Sequence, residues 1–170
     1  AGKFERKNAR KINSLITDRS CFLDLYSGIG FVGLKAHLVD PNLQVVNHDE
    51  VVGLSDYGRS LAEAQFPMSK GRVHFVTAAL SDGASTSPSY QALSDLIAHF
   101  EPDVLRVDPK KVTKEAFCDD VLQGTRMVIF PFTDLAQLDT IRDKFGSQLA
   151  MAGFVEDTDK IYTGSLCFKR

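Results

Sequence analysis

Short apolar runs rich in β-branched residues alternate with longer amphipathic runs along this chain, and this alternation constrains the fold more than any other feature. The series begins with SCFLDLYS (20–27) and FVGLKAHLVD (31–40), followed by LQVVNHDE (43–50) and GLSDYGRSLAEAQF (53–66). A strand and a helix in repeated succession form βαβ units, whose strands pair in parallel. The pattern therefore predicts an α/β fold built around a mainly parallel sheet.

The second half of the chain continues this pattern and then departs from it. Three more strands are predicted at GRVHFVTAALS (71–81), PDVLRVD (102–108) and TRMVIFPF (125–132), and helices at SYQALSDLIAHF (89–100), TKEAFCDDVLQG (113–124) and TDLAQLDTIRDKFGSQLA (133–150). The last two segments, GFVEDTDK and IYTGSLCFKR, indicate two strands joined by an acidic turn. We therefore expect a three-layer, Rossmann-like α/β sheet that is mostly parallel and ends in a C-terminal antiparallel strand pair.

Length and composition indicate one domain, residues 1–170, with a basic start. The 170 residues are 44% apolar, which is enough for a single core. Residues 1–19 are predicted to form a basic, solvated helix or arm because they contain Lys3, Arg6, Lys7, Arg10 and Lys11. Residues 20–170 then form the core. Because the chain opens without an initiator Met, we interpret it as a fragment of a longer protein or as a processed form, and other domains of a larger protein are among its candidate partners.

Charge and cysteine usage argue against several classes of protein. The net charge of −2 does not indicate a dedicated nucleic-acid-binding protein, so a nucleic-acid contact through the basic arm is a minor option and is not favoured. Cys21, Cys118 and Cys167 are odd in number and widely spaced, which argues against a disulfide framework and a structural zinc site. We expect a reducing, cytoplasmic setting and no bound metal. No apolar run reaches the roughly 20 residues that a membrane span needs.

Glycines and acids follow the first predicted strand, at the edge where open α/β sheets bind their ligands. The residues there are Asp24, Tyr26, Ser27, Gly28 and Gly30. Glycines allow a positive φ and a close approach of the backbone to a ligand, and the next helix adds unpaired N–H groups. The same turn could equally be a tight corner between a strand and a helix.

Polar residues also follow the other predicted strands. Asp49 or Glu50, after the second strand, could accept hydrogen bonds from a ribose diol. Ser81 and Asp82, after the third strand, could bond to an adenine amino group, and Asp108 ends the fourth. Each signal is weak alone, because aspartate is also a common turn residue. Their combination, in this order, indicates a nucleoside-binding site.

The glycine pattern helps to distinguish two cofactors. Residues 28–33 match the G-x-G-x-x-G expression of dinucleotide-binding folds. Asp24 lies just before them, however, close to where a pyrophosphate would bind, and its charge would repel phosphate. An acid there suits a ligand with an ammonium group, such as the methionine part of S-adenosylmethionine. The pattern therefore favours S-adenosylmethionine over NAD.

The stretch DLYSGIGFVGL (24–34) resembles the first motif of the class I S-adenosylmethionine-dependent methyltransferases, and the C-terminal strand pair is similar to their usual sheet ending. Within that superfamily the chain is most similar to the FkbM-type methyltransferases, and the residues that carry the likeness are Asp24, Gly28, Gly30, Phe31 and Asp49. The stretches VTAALSDGAS, ALSDLIAHFEPDVLRVD and VLQG extend the resemblance over most of the core. DLYSGIG is also similar to cytosine-5 DNA methyltransferases, but their Pro-Cys nucleophile motif is absent.

The resemblance implies an enzyme that transfers a methyl group from S-adenosylmethionine, with a hydroxyl of a small molecule or saccharide as the favoured acceptor. A hydroxyl acceptor needs a base, for which Asp108 is the leading candidate, and His48 and His74 are more distant ones. The cofactor site is expected to contain Asp24, Tyr26, Ser27, Gly28, Gly30, Phe31, Asp49, Glu50, Ser81 and Asp82.

The segment after the fourth strand departs from the family pattern. FkbM-type enzymes have an acid and a glycine there, whereas this chain has Pro109, Lys110 and Lys111. The lysines could bind an anionic acceptor such as a phosphate or an acidic sugar, or they could mark lost chemistry. The alternative function is therefore a catalytically silent methyltransferase-like domain that acts as a scaffold or partner-binding module. Another nucleotide-binding role is a third option.

Overall fold

Seven strands form one sheet, which is parallel except at its C-terminal edge. The computed structural model describes residues 20–65, 67, 71–81, 90–117, 121–158 and 164–170. In this part of the chain the strands are β1 (Cys21–Leu25), β2 (Gln44–Asp49), β3 (Val73–Thr77), β4 (Ala79–Ser81), β5 (Tyr90–Ala92), β6 (Val104–Val107), β7 (Met127–Pro131), β8 (Val155–Glu156) and β9 (Ser165–Lys169). The strand order in the main sheet is β3-β2-β1-β6-β7-β9-β8, and β9 is antiparallel to both β7 and β8. The predicted parallel sheet and its antiparallel C-terminal strands are confirmed.

Helices cover both faces of this sheet. They are α1 (Phe31–Val39), α2 (Val52–Gln65), α3 (Leu93–Phe100) and α4 (Ala136–Met151). On one face, Ala36 of α1 packs in a cluster with Val45 of β2. On the other, Leu96 of α3 and Phe145 of α4 pack in a larger cluster with Leu105 of β6. The three-layer α/β architecture is therefore as predicted. No helix in the described ranges combines the length and the apolar composition needed to cross a membrane.

The third predicted strand is shorter than the sequence pattern indicated. It breaks at Ala78, so that β3 ends at Thr77 and β4 leaves the main sheet to pair in parallel with β5. Because β5 takes residues 90–92, the following helix starts at Leu93 instead of residue 89. The break frees the carbonyl of Ala78 from the ladder, and the ring of His48 bonds to it instead.

The helix predicted over residues 113–124 is wrong. The described part of this segment contains a 3₁₀ turn, Lys114–Phe117, followed by turns, and residues 118–120 lie outside the described residues. Phe117 and Leu122 are both fully buried in the same core cluster. Five residues along an α-helix rotate a side chain by about 140°, so a regular helix would direct these two residues to different sides. Core packing therefore overrides the local helical pattern.

Aromatic rings hold the α4 face of the core together. The ring of Phe145 stacks on that of Phe130 with a centroid separation of 4.7 Å, and it meets the edge of Phe117 at 5.3 Å. All three side chains are fully buried. Replacing a buried phenylalanine by alanine removes these contacts and leaves a cavity.

We therefore expect Phe145→Ala to lower the free energy of unfolding by about 3–5 kcal/mol, measured by urea denaturation. The matched control is Leu135→Ala, because Leu135 is 72% exposed and its truncation should change stability by less than about 0.5 kcal/mol. Similar losses in the two variants would contradict the packing described for α4.

A carboxylate joins the amino ends of β1 and β6. Oδ2 of Asp103 accepts hydrogen bonds from Ser20 N at 2.8 Å, Ser20 Oγ at 2.5 Å and Cys21 N at 3.1 Å. Burial alone would raise the pKa of Asp103, but the hydrogen bonds from Ser20 and Cys21, with the charge of Arg126, outweigh it and lower this pKa below its usual value. The ionised form is therefore the one that the folded chain favours.

This lowered pKa predicts an acid-dependent loss of stability. The contribution of Asp103 is complete above its unfolded pKa of about 3.9 and is lost as the pH falls through the lower folded pKa. The stability difference between the wild type and Asp103→Asn should hold constant from pH 7 to 5 and shrink below pH 4, in urea titrations at each pH. Asp143→Asn, which removes an exposed carboxyl on α4, is the control and should show a smaller change. A wild-type advantage that stays constant down to pH 2 would be inconsistent with the pairing.

Candidate cofactor site

The turn between β1 and α1 has a left-handed backbone at three positions. The φ angles are 58° at Tyr26, 63° at Gly28 and 72° at Gly30. The turn closes with a hydrogen bond from Gly30 N to Ser27 O at 3.1 Å, and Gly30 caps α1 without a side-chain bond. The first turn of α1, with its unpaired N–H groups, therefore lies at the carboxyl edge of the sheet.

The two glycines in this turn have different surroundings. A Cβ on Gly30 would lie 2.7 Å from Cγ of Asn47 and 2.9 Å from the ring of Phe75. On Gly28, the same atom would meet nothing within 4 Å among the described residues. Gly30 is therefore needed for the close approach of α1 to β2, whereas the backbone at Gly28 is open to a ligand.

Asp49 fixes the turn to the end of β2. Its Oδ2 accepts from Gly28 N at 2.8 Å, and its Oδ1 accepts from Val51 N at 2.9 Å. Ser27 adds a backbone bond, with its N–H 2.8 Å from His48 O. Each carboxylate oxygen has a second lone pair, so Asp49 can still accept hydrogen bonds from a ligand. The geometry brings together Ser27, Gly28 and Asp49, as predicted from the ends of the first two strands.

Asp24 lies inside the sheet and not on its rim. It is 1% exposed, and its Oδ1 accepts a 2.6 Å hydrogen bond from Nη1 of Arg106, its register partner on β6. Burial raises the pKa of Asp24, and the guanidinium of Arg106 opposes that rise. Its other oxygen, Oδ2, has no hydrogen-bond partner among the described residues, and the direct contact with a ligand ammonium group that the sequence suggested for Asp24 stays a prediction. Arg106 was missed, although an arginine within the apolar strand VLRV is itself a signal of a buried ion pair.

His48 is a structural residue in this arrangement. Its ring is fully buried, with Nε2 2.6 Å from the carbonyl of Ala78, so this nitrogen donates. Burial lowers the pKa of His48 and keeps its ring neutral near pH 7. The ring packs edge-on against Tyr26, with 5.4 Å between centroids. His74 lies within β3, and its ring is 5.9 Å from that of Phe100.

A lysine links the ends of β2 and β6. Nζ of Lys111 lies 3.8 Å from Oε2 of Glu50 and 5.6 Å from the centroid of the Tyr26 ring. The sequence placed Tyr26 and Glu50 in the cofactor site but did not indicate that Lys111 would join them. Phe31 is the first residue of α1, beside the same turn.

The loop after β6 is held by hydrogen bonds. Oδ1 of the partly buried Asp108 accepts from Lys110 N at 2.9 Å, and Lys111 N donates to Asp108 O at 3.1 Å. Nζ of Lys144, on α4, donates to Pro109 O at 2.9 Å and to Val112 O at 2.6 Å. Asp108 thus lies at the strand end, as predicted, in a loop with a fixed backbone. No local sequence signal identified Lys144, which is distant along the chain.

For Ser81, Asp82 and the basic arm, the structure gives no description of the side chains. Ser81 ends β4, and Asp82 lies outside the described residues, as does the basic arm of residues 1–19. Across the part of the chain that is described, no group of three or more His, Cys, Asp or Glu side chains is arranged to hold a metal ion.

The strand order reverses between β1 and β6, beside the glycine turn, which is where open α/β sheets bind ligands. A sheet of order β3-β2-β1-β6-β7-β9-β8 with an antiparallel β9 is the fold of the class I S-adenosylmethionine-dependent methyltransferases. Solved structures of methyltransferases are similar to this chain and confirm the assignment of its fold.

Three of these structures illustrate the likeness. A candidate caffeoyl-CoA O-methyltransferase from Staphylococcus aureus is 11% identical, with a TM-score of 0.66 over 96% of this chain and 83% of that one. A methyltransferase from Geobacter sulfurreducens is 14% identical, with a TM-score of 0.64 over 96% and 78%. Human N-acetylserotonin methyltransferase, solved with S-adenosylmethionine, is 12% identical, with a TM-score of 0.55 over 96% and 51%. This chain therefore spans about half the length of the human enzyme. No protein-family model and no curated protein matches the sequence.

The contrast between the two glycines predicts different costs of substitution. Gly28→Ala should lower stability by about 1–2 kcal/mol, because a Cβ there adds only backbone strain. Gly30→Ala adds a clash with Asn47 and Phe75 and should cost clearly more, as measured by urea denaturation of both variants. Equal losses would contradict the close approach of α1 to β2.

Proposed function

We propose that this chain transfers a methyl group from S-adenosylmethionine to a hydroxyl of a small molecule or saccharide. The observation that carries the proposal is the hydrogen bond from Gly28 N to Asp49. The carboxylate fixes the turn through this bond, while the space beside Gly28 remains open to a ligand. The resemblance to the FkbM-type enzymes and the O-methyltransferases among the structural neighbours favour a hydroxyl acceptor.

The residues of the turn fit this cofactor. The open space at Gly28 would admit a ligand against the backbone, which a side chain would block. Asp49, with Glu50 beside it, offers carboxylate oxygens to a ribose diol, and the Tyr26 ring offers an apolar surface next to them. The bound cofactor supplies an electrophilic methyl group on its sulfonium. The contribution of the chain is to hold the acceptor in line with that group, since orientation supplies most of the catalysis in such a transfer.

Asp108 is the proposed base. One of its oxygens, Oδ1, holds the N–H of Lys110, and this bond orients the carboxylate. Oδ2 then takes the proton from the acceptor hydroxyl as the methyl group is transferred. The fixed loop around Asp108 supports this role, because a base must stay within hydrogen-bond reach of the acceptor.

A catalytically silent domain is the second candidate. The observation in its favour is the ion pair between Lys111 and Glu50, which engages an acid that the cofactor would use. In this alternative, the methyltransferase fold is retained as a scaffold. For either function we propose a cytosolic setting, which the free, buried thiol of Cys21 supports.

Calorimetric titration with S-adenosylmethionine and S-adenosylhomocysteine tests the proposal. We expect saturable binding of both ligands by the wild type and a loss of at least about tenfold in affinity in Asp49→Ala, because hydrogen bonds to a charged acceptor are removed. Asp143→Ala removes an exposed acid on α4 and should bind like the wild type.

Asp49 also braces the turn, so its folding must be checked separately. Asp49→Asn keeps the shape of the side chain, and a thermal melt shows whether either variant has lost its fold. Absence of binding by a folded wild-type chain would rule out the enzyme and leave the scaffold alternative.

A further inference from the structure

The loop after β6 presents two ammonium groups beside the proposed base. Lys110 and Lys111 follow Asp108 after a single buried proline, and both lysine side chains are exposed. Lys110 takes part in no ion pair within the described ranges, and the ion pair of Lys111 there is the 3.8 Å contact with Glu50. The loop therefore places more positive than negative charge next to Asp108.

The backbone that carries these lysines is held by hydrogen bonds with Lys144 on α4 and with Asp108. Lys144 uses its ammonium group to hold two carbonyls of the loop, Pro109 O and Val112 O. The carboxylate of Asp108 holds the N–H of Lys110. A fixed backbone limits the two exposed side chains to a small region near the strand ends, although each side chain remains free to rotate.

A carboxylate as the base would repel an anionic acceptor unless nearby cations offset its charge. Lysine is a compact point charge that suits phosphate and carboxylate groups. Lys111 reaches towards Glu50 and the Tyr26 ring, on the side of the cofactor turn, whereas Lys110 lies next to Asp108. The Lys111 ammonium group thus lies on the side of the glycine turn, and Lys110 is held by its backbone N–H at the carboxylate of Asp108.

We propose that the acceptor carries an anionic group, a phosphate or a carboxylate, which Lys110 and Lys111 bind while its hydroxyl faces Asp108. This inference rests on the proposed function, because it concerns the acceptor of that site. It assigns the two lysines to substrate binding and not to lost chemistry.

The test is a set of NMR titrations of the ¹⁵N-labelled full chain, with and without S-adenosylhomocysteine. The probes are glycerol 3-phosphate, glycerate and neutral glycerol, and sodium chloride at matched ionic strength is the salt control. We expect saturable shifts of the Lys110 and Lys111 amides with the anionic probes and none with glycerol. Saturation by glycerol 3-phosphate alone identifies a phosphate acceptor, and saturation by both identifies a site that also takes carboxylates.

Variants of the two lysines show whether the anionic probes bind at Lys110 and Lys111. The double variant Lys110→Gln/Lys111→Gln should weaken binding of the anionic probe at least tenfold. Lys110→Gln alone keeps the contact between Lys111 and Glu50 and should weaken binding by a smaller factor. Arg126→Gln removes an exposed cation next to β7, at the opposite end of the sheet, and should change the dissociation constant by less than twofold.

Two results would overturn the inference: shifts that sodium chloride reproduces, or binding of the anions that persists unchanged in the double variant. Its failure is distinguishable from that of the proposed function. Binding of S-adenosylhomocysteine without an anion site leaves the methyltransferase and removes the anionic acceptor. An anion site in a chain that binds neither cofactor form contradicts the methyltransferase, and with it the assignment of the anion as an acceptor.

Discussion

The close approach of α1 to β2 is the constraint on which the rest of this structure depends. Asn47 occupies the space that side chains on Gly30 and Gly33 would need, so the helix can rest on the strand only because both residues are glycine. With α1 in this position, its first turn reaches the carboxyl edge of the sheet, and Gly28 comes within hydrogen-bond distance of Asp49. The geometry of the glycine turn is thus a consequence of helix packing.

Charge is distributed in two layers below and at this edge. In the lower layer, Asp24 and Arg106 neutralise each other across adjacent strands, so that a buried carboxylate is not left unpaired. In the upper layer, Glu50 meets the ammonium group of Lys111 in a more exposed setting. The buried pair joins adjacent strands, whereas Glu50 and Lys111 are more exposed and can exchange each other for groups of a ligand.

The sequence predicted the sheet and its order of strands and helices because period and apolar content are local properties. It also placed Gly28 and Asp49 after the first two strands, whose ends meet because the strands are neighbours in a parallel sheet, while their role in cofactor binding stays a prediction. It did not predict the 3₁₀ turn at Lys114–Phe117, where burial of Phe117 and Leu122 overrides a helical pattern. Nor could it predict the contacts of Lys144 or the pairing of Lys111 with Glu50, because these join distant parts of the chain. The role of Ser81 and Asp82 in cofactor binding stays a prediction.

The anchoring of the β6 loop by Lys144 has a consequence for how the site is assembled. The glycine turn and its hydrogen bond to Asp49 are built from residues 21–51, which are close together in sequence. The loop with Asp108 is anchored by Lys144, so this anchor exists only when α4 has been made. A ribosome therefore releases the residues of the glycine turn well before Lys144, which anchors the loop after β6. The nascent chain passes through a stage at which the glycine turn has been made but the loop that carries Asp108 still lacks the residue that anchors it.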